Sequence, residues 1–160
     1  MGDKKFFDIS VARMSTKPLG SVDYGESKKF KITDSSPSLE IDGSHGKYEI
    51  FHVSGTQGRP YYISAVGICD CLGRKKSVVP ILYLLDKDGV VIKIGSQVNP
   101  MAQYFSGNFP KTEDYYVLIV ADKNDEGRLL GRLEGDKVLV ESFPLISQTT
   151  GTVFINWEKK

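Results

Sequence analysis

The sequence predicts an all-β fold: a β-sandwich, jelly-roll-like, of about eight or nine strands with little helix. Three observations predict it. Apolar runs are short and are interrupted by Gly, Pro, Asn, Asp and Ser at roughly 8–12-residue spacing. Several runs alternate apolar with polar residues, the period of a half-buried strand. Helical periodicity is nearly missing: only Glu126–Glu134 could hold a turn or two, and Gly127 and Gly131 disfavour more.

Taken in order, residues 1–24 read as an N-terminal segment, partly flexible, and residues 25–160 as a single β-sandwich domain. Strands are expected near Lys28–Thr33, Leu39–Ile41, Tyr48–Val53, Tyr61–Ile68, Val79–Leu85, Val90–Ile94, Tyr115–Ala121, Val138–Glu141 and Val153–Trp157. Lys29-Phe30-Lys31-Ile32-Thr33 and Tyr48-Glu49-Ile50-Phe51-His52-Val53 alternate, so each should bury one face. Tyr115-Tyr116-Val117-Leu118-Ile119-Val120 is apolar throughout, as in a central strand buried on both faces. Trp157, the single tryptophan, should be half-buried in the last strand.

Asp86-Lys87-Asp88-Gly89 invites comparison with a calcium loop. With Gly89 at loop position 6, Asp88 and Asp86 fall at 5 and 3, but position 1 is Leu84 and position 12 is Gly95. The bidentate ligand is missing, and the flanks Ile81–Leu85 and Val90–Ile94 are strand-like rather than helical. The segment therefore reads as a hairpin turn, with Gly89 supplying positive φ and no metal expected.

A chain of 160 residues can bury about 68–70% of its unfolded surface, so it needs neither metal nor disulfide to fold. Lys plus Arg is 21 and Asp plus Glu is 20, a balance that gives no reason to expect nucleic acid or an anionic membrane surface. No stretch of ~18 apolar residues exists, so no transmembrane helix is expected. Met1-Gly2 precedes a charged segment and reads as a start that follows removal of a signal peptide; Phe6 breaks the myristoylation motif.

The chemistry-bearing residues are few. Cys69 and Cys71 form Cys-x-Cys in GICDCLG; on a strand they would share a face roughly 6.5–7 Å apart, too far for an easy disulfide. Three readings stand open: two small residues at a strand end, a strained bridge if the chain bends before Gly73, or a metal site completed by His45 and His52, although His45 lies in the glycine turn DGSHG. A cysteine enzyme would pair Cys69 or Cys71 with His52, but neither cysteine has a basic neighbour or a helix N-terminus to lower its pKa. Phosphate-cradling glycine loops and a Gly-x-Ser-x-Gly elbow are both missing, so no enzyme and no cofactor are expected. Arg74-Lys75-Lys76 is read as a solvated loop, the sharper alternative being contact with anionic headgroups.

Most aromatics fall in strands. The stretch Asn99–Pro110 differs: NPMAQYFSGNFP is an apolar, aromatic loop between strong strands, and such loops often carry function. Tyr104, Phe105, Asn108 and Phe109 are the ligand-binding candidates, since their rings could stack on a sugar or anchor a partner.

Several of these stretches together resemble the maltose-operon periplasmic protein family. Ser27–Gly43, running on through Gly46-Lys47-Tyr48-Glu49-Ile50-Phe51, is similar to the Ser-Pro and glycine/aromatic region of that family. Val79-Pro80-Ile81-Leu82-Tyr83-Leu84-Leu85-Asp86 resembles its proline-led, leucine-rich strand. Tyr104-Phe105 looks like its aromatic patch, and Tyr115–Lys123 like its later strand. Order and spacing agree over about residues 25–125. A generic bacterial pre-peptidase-like sandwich would share many of these hydrophobic and turn-like motifs. The resemblance implies a periplasmic or lipid-anchored, outer-membrane-associated β-sandwich of the bacterial envelope. It also implies no catalytic residues and a link to carbohydrate uptake, with an oligosaccharide or an envelope protein as partner. The oxidising compartment it implies would favour a Cys69–Cys71 bridge over free thiols. An interaction or accessory module of a larger secreted protein is the alternative.

Overall fold

The computed structural model describes residues 18–41, 44–68, 76–99, 101–121, 129–134, 142–148 and 150–159. Among them are fourteen strands and no helix: β1 (Gly20–Ser21), β2 (Ser27–Ile32), β3 (Ser38–Ile41), β4 (Ser44–Gly55), β5 (Pro60–Ile68), β6 (Lys76–Val78), β7 (Pro80–Leu85), β8 (Val91–Ile94), β9 (Ser96–Asn99), β10 (Ala102–Asn108), β11 (Glu113–Ala121), β12 (Leu129–Glu134), β13 (Ser142–Gln148) and β14 (Gly151–Trp157). One sheet runs β1-β4-β11-β7-β8, with β3 paired to β4; the second runs β2-β14-β5-β10-β9; a third, small sheet runs β12-β13-β6.

The two large sheets face each other. Strand β5 and strand β10 both lie over β7, and β2 lies over β4. Period-2 alternation supplies the shared core: Phe51 and Val53 of β4, Val117 and Ile119 of β11, and Leu82 and Leu84 of β7 meet Phe30, Ile63, Ala65, Phe105, Val153 and Ile155 from the other sheet. This is the expected β-sandwich. Both lateral sides are closed by consecutive strands. On one side the chain passes from β1 to β2 through a turn at Gly25 (φ 81°), where Gly25 N–H donates to Trp157 O at 2.9 Å and Trp157 N–H donates to Glu26 O at 3.0 Å. On the other side it passes from β8 to β9 through Gly95 alone. A Cβ on Gly95 would stand 2.9 Å from Leu82 Cβ, so the corner needs glycine for space. Gln103 reaches across from β10 and its Oε1 accepts from Leu82 N–H at 2.9 Å, tying the second sheet to the first.

Asp86–Gly89 is a hairpin turn. Asp86 Oδ1 accepts from the N–H groups of Asp88 (2.8 Å) and Val90 (3.0 Å), Gly89 N–H donates to Asp86 O at 3.0 Å, and Gly89 sits at φ 85°. The aspartate bonds its own backbone, the usual reason for Asp at this place in a turn. At the start of β11, Tyr115 makes a tyrosine corner. Its hydroxyl donates to Lys111 O at 2.8 Å and accepts from Lys111 N–H at 3.1 Å, pinning the loop that enters the strand.

Four expectations are corrected. The Asn99–Pro110 loop is largely strand, β10, paired with β5 from Ala102↔Val66 to Asn108↔Pro60; its alternation of Tyr104, Phe105 and Ser106 was masked by the flanking Gly and Pro residues. Where a helical turn is expected over Glu126–Glu134, the described part, Leu129–Glu134, is β12, which pairs antiparallel with β13. His45 lies not in a turn but opposite Glu40 in the β3–β4 hairpin. Trp157 is buried rather than half-buried, at 2% exposure. Its Nε1 has no hydrogen-bond partner among the described residues, and the rings of Tyr24 and Phe109 pack against the indole with centroids 5.8 Å away in T-shaped geometry. Cys69, Cys71, Arg74, Lys75 and the expected strand Val138–Glu141 lie outside the described residues. Of residues 1–24, the described part from residue 18 holds β1, which pairs parallel with β4, and a buried Val22.

Candidate functional site

The outer faces of the two large sheets are unlike. On the six-stranded sheet, the outward residues Tyr48, Ile50, Tyr83, Leu85, Leu118 and Val120 are all buried, none more than 3% exposed. From Val117 onward strand β11 is thus covered on both sides, as its apolar sequence predicts. The five-stranded sheet is open: apart from Ala102, residues on its outer face are exposed or half-buried along β2, β14, β5 and β10.

On that open face the aromatic pair Tyr62–Tyr104 stands out. In β5 the period-2 alternation turns Tyr61 inward and Tyr62 outward. In β10 it turns Phe105 inward and Tyr104 outward. Register places Tyr104 opposite Ser64 and Tyr62 opposite Ser106, so the two tyrosines are diagonal neighbours, within reach of one another. Their rings stack, with centroids 5.1 Å apart and planes 15° from parallel. Around them stand Ser96 of β9, opposite Tyr104, and Asn156 of β14, opposite Ser64. The set offers aromatic surface, hydroxyls and one amide, and next to it lies exposed Glu158, whose backbone N–H donates to Tyr62 O at 2.8 Å.

Of the four sequence candidates, Tyr104 belongs to this face and Asn108 is exposed at the end of β10, opposite Pro60. The other two are core residues. Phe105 is 3% exposed and Phe109 1%. Phe109 is wedged among Tyr61 (4.7 Å), Tyr115 (4.8 Å) and Trp157 (5.8 Å). The four therefore do not converge. The residue that sequence reasoning missed is Tyr62. The Tyr61-Tyr62 doublet carried part of the signal, since alternation must turn one of the two outward, but the register that sets it beside Tyr104 is a long-range property.

A second cluster lies on the six-stranded sheet. His52 Nε2–H donates to Asp114 Oδ1 at 2.8 Å, and Ser21 Oγ lies 3.2 Å from His52 Nδ1, with the His52 ring edge-on to Tyr116 at 5.8 Å. The residue types are those of a serine hydrolase. In such an enzyme the carboxylate is buried, so that it fixes the imidazole in a water-excluded site. Here the Asp114 side chain is 63% exposed and His52 27%. The three residues are better described as a clasp tying β1 to β4 and β11. Cys69 and Cys71, the cysteines that an enzyme would pair with His52, lie outside the described residues.

No family model matches the chain, and no curated protein matches it. Among solved structures, the pre-peptidase C-terminal domain of a collagenase from Bacillus anthracis is similar to it, with a TM-score of 0.48, 12% identity, and 89% of this chain and 97% of that one covered. So is CorA, a surface-associated copper-binding protein important in copper acquisition by Methylomicrobium album BG8, with a TM-score of 0.49, 9% identity, and 89% and 98% covered. At such values neither neighbour carries an argument about what this protein does.

Proposed function

We propose that this protein is a non-catalytic binding module of the bacterial envelope that holds a neutral glycan on the open face of its five-stranded sheet. The observation that carries the reading is the stacked Tyr62–Tyr104 pair set among Ser64, Ser96, Ser106 and Asn156. Ring faces pack on the C–H surface of a sugar, while hydroxyls and amides meet its hydroxyl groups. A setting of hydroxyls and an amide, with the carboxylate of Glu158 the neighbouring charge, suits a neutral ligand better than a phosphorylated or acidic one. The envelope location rests on the resemblance to the maltose-operon periplasmic proteins, which also implies a link to carbohydrate uptake. A tyrosine- and serine-rich face is equally the composition of a protein-binding surface, so an envelope protein is the second reading.

The test is the melting temperature across a panel of soluble glycans, maltodextrins included. A ligand at about 100 times its Kd stabilises by about 2.7 kcal/mol, which for a domain of this size is roughly 5–10 °C. Tyr62→Ala with Tyr104→Ala should abolish the shift and leave the fold intact. A flat panel rejects the glycan and turns attention to a protein partner; a shift that survives both substitutions places the ligand elsewhere.

A further inference from the structure

We infer that the apolar outer face of the six-stranded sheet is covered by the chain's own N-terminal segment, with Phe7, Ile9 and Val11 seated on it. The inference starts from the contrast between the two outer faces. The five-stranded sheet shows what an uncovered face looks like: Val66 is 37% exposed, and Tyr62, Tyr104 and Phe154 are half-buried. The six outward residues of the other sheet, two of them tyrosines, are only 0–3% exposed, so a layer lies over them. The strands that pack across this sheet, β2, β5 and β10, do so on its inner face. The small sheet meets the sandwich through β6, against β5 and β14 of the five-stranded sheet. None of these supplies the layer.

The occupant follows from where the chain enters the sheet and from what precedes that point. Leu19 N–H donates to Ile50 O at 2.8 Å, and β1 runs parallel to β4 with Gly20 opposite Phe51. The chain before Leu19 therefore reaches the sheet edge beside Ile50 and Tyr48, two of the covered residues. Seventeen residues precede Pro18. Fully extended they span up to about 56 Å, against about 14 Å for the three steps from β1 through β4 and β11 to β7. Within them Phe7-Asp8-Ile9-Ser10-Val11 alternates, so an extended chain would turn three apolar side chains to one side and Asp8 and Ser10 to the other. The other segments outside the described residues suit the face less well. Residues 122–128, DKNDEGR, hold no apolar side chain. Residues 69–75, CDCLGRK, hold one large one, Leu72, and join β5 to β6; residues 135–141 join β12 to β13 within the small sheet. A docked N-terminal segment closes one outer face of the sandwich and leaves the Tyr62–Tyr104 face open.

Photo-cross-linking in the full chain tests this. With Phe7 replaced by p-benzoylphenylalanine, irradiation should join the segment to the Tyr48–Ile50, Tyr83–Leu85 or Leu118–Val120 stretch of the same chain, read by mass spectrometry of the peptides. Ile9→Asp with Val11→Asp should release the segment: a dye that binds exposed apolar surface should brighten, and the melting temperature should fall by roughly 5 °C or more as the apolar face loses its cover. Asp8→Ala with Ser10→Ala, on the other side of the segment, should leave both readings at their wild-type values. Cross-links that fall elsewhere in the chain, that join two copies, or that do not form overturn the inference, whether or not the aspartate variant folds. An aspartate variant with unchanged dye binding and melting temperature overturns it too, as does an alanine variant that loses as much.

Discussion

Gly55→Ala should be among the most damaging single-methyl additions in this protein. Gly55 ends β4 on the inner face, against the tyrosine corner. A Cβ there would meet the Tyr115 ring, 2.6 Å from Cδ1, and would lie 2.7 Å from Phe109 Cδ1, well inside the usual contact distance of about 3.5–4.0 Å. Neither ring can retreat freely. Tyr115 is fully buried and its hydroxyl is bonded twice to Lys111; Phe109 is held by Tyr61, Tyr115 and Trp157. Overpacking of this kind costs about 1–3 kcal/mol, and displacing the Tyr115 hydroxyl adds about 1 kcal/mol for a lost hydrogen bond. A total of about 2–4 kcal/mol lowers the melting temperature by roughly 5–15 °C, at ~2–4 °C per kcal/mol. Gly58→Ala is the matched control. Its Cβ would meet nothing within 4 Å, but its φ is +80°, so it carries only the left-handed backbone penalty of about 1–2 kcal/mol. Urea melts of both variants measure the two costs. If Gly55→Ala loses no more than Gly58→Ala, the packing argument fails. As a second check, Phe109→Leu should lessen the added cost of Gly55→Ala in a double-mutant cycle, because the two groups collide directly.

Three further outcomes follow from the same geometry. Tyr115→Phe keeps the ring but strips the hydroxyl from Lys111, and should cost about 1 kcal/mol in a urea melt. Burial, and after it the neighbouring Tyr115, pushes the Tyr61 hydroxyl up to about 12; Tyr115 is raised as well, first by burial. The folded chain therefore keeps the Tyr61 proton at pH values where the unfolded chain has lost it: stability is intact below about pH 10 and falls between about 10 and 12, by on the order of 2–3 kcal/mol for Tyr61. Tyr61→Phe should flatten that alkaline decline, read from melting temperature against pH. Asp86→Ala removes the acceptor of two backbone N–H groups in the hairpin turn and should cost about 1 kcal/mol.

The strands that were legible in the sequence are those whose pattern is local. Lys28–Thr33, Tyr48–Val53 and Tyr61–Ile68 alternate, and β2, β4 and β5 lie over them, with bounds shifted at their ends. The Asp86–Gly89 turn was legible because Asp and Gly answer a local backbone need. Strand β10 was not, because Gly107 and the nearby prolines resemble loop composition while its order comes from pairing with β5 and β9. Short strands such as β6 and β9, of three and four residues, carry too little periodicity to read. The four candidates do not converge for the same reason. Tyr104 and Phe105 are neighbours in sequence, yet strand geometry sends one to the surface and the other to the core.

That division of the aromatics also sets what the binding proposal must survive. Tyr61, Phe105, Phe109, Tyr115 and Trp157 point inward and are accounted for by packing. Tyr62 and Tyr104 point outward, where a serine or threonine would satisfy the strand equally well. Their stack could still serve stability alone, since an aromatic pair contributes about 0.5–1.5 kcal/mol beyond its buried area. The two roles separate under graded substitution. Phenylalanine at both positions keeps the stack and removes the hydroxyls; alanine removes both. If the pair is only a sheet staple, the phenylalanine variant melts like wild type, the alanine variant melts lower, and neither changes a glycan-induced shift. If the pair is the binding surface, the phenylalanine variant binds more weakly at unchanged stability, and the alanine variant does not bind. Loss of binding at constant stability is the outcome that a purely structural role for Tyr62 and Tyr104 does not produce.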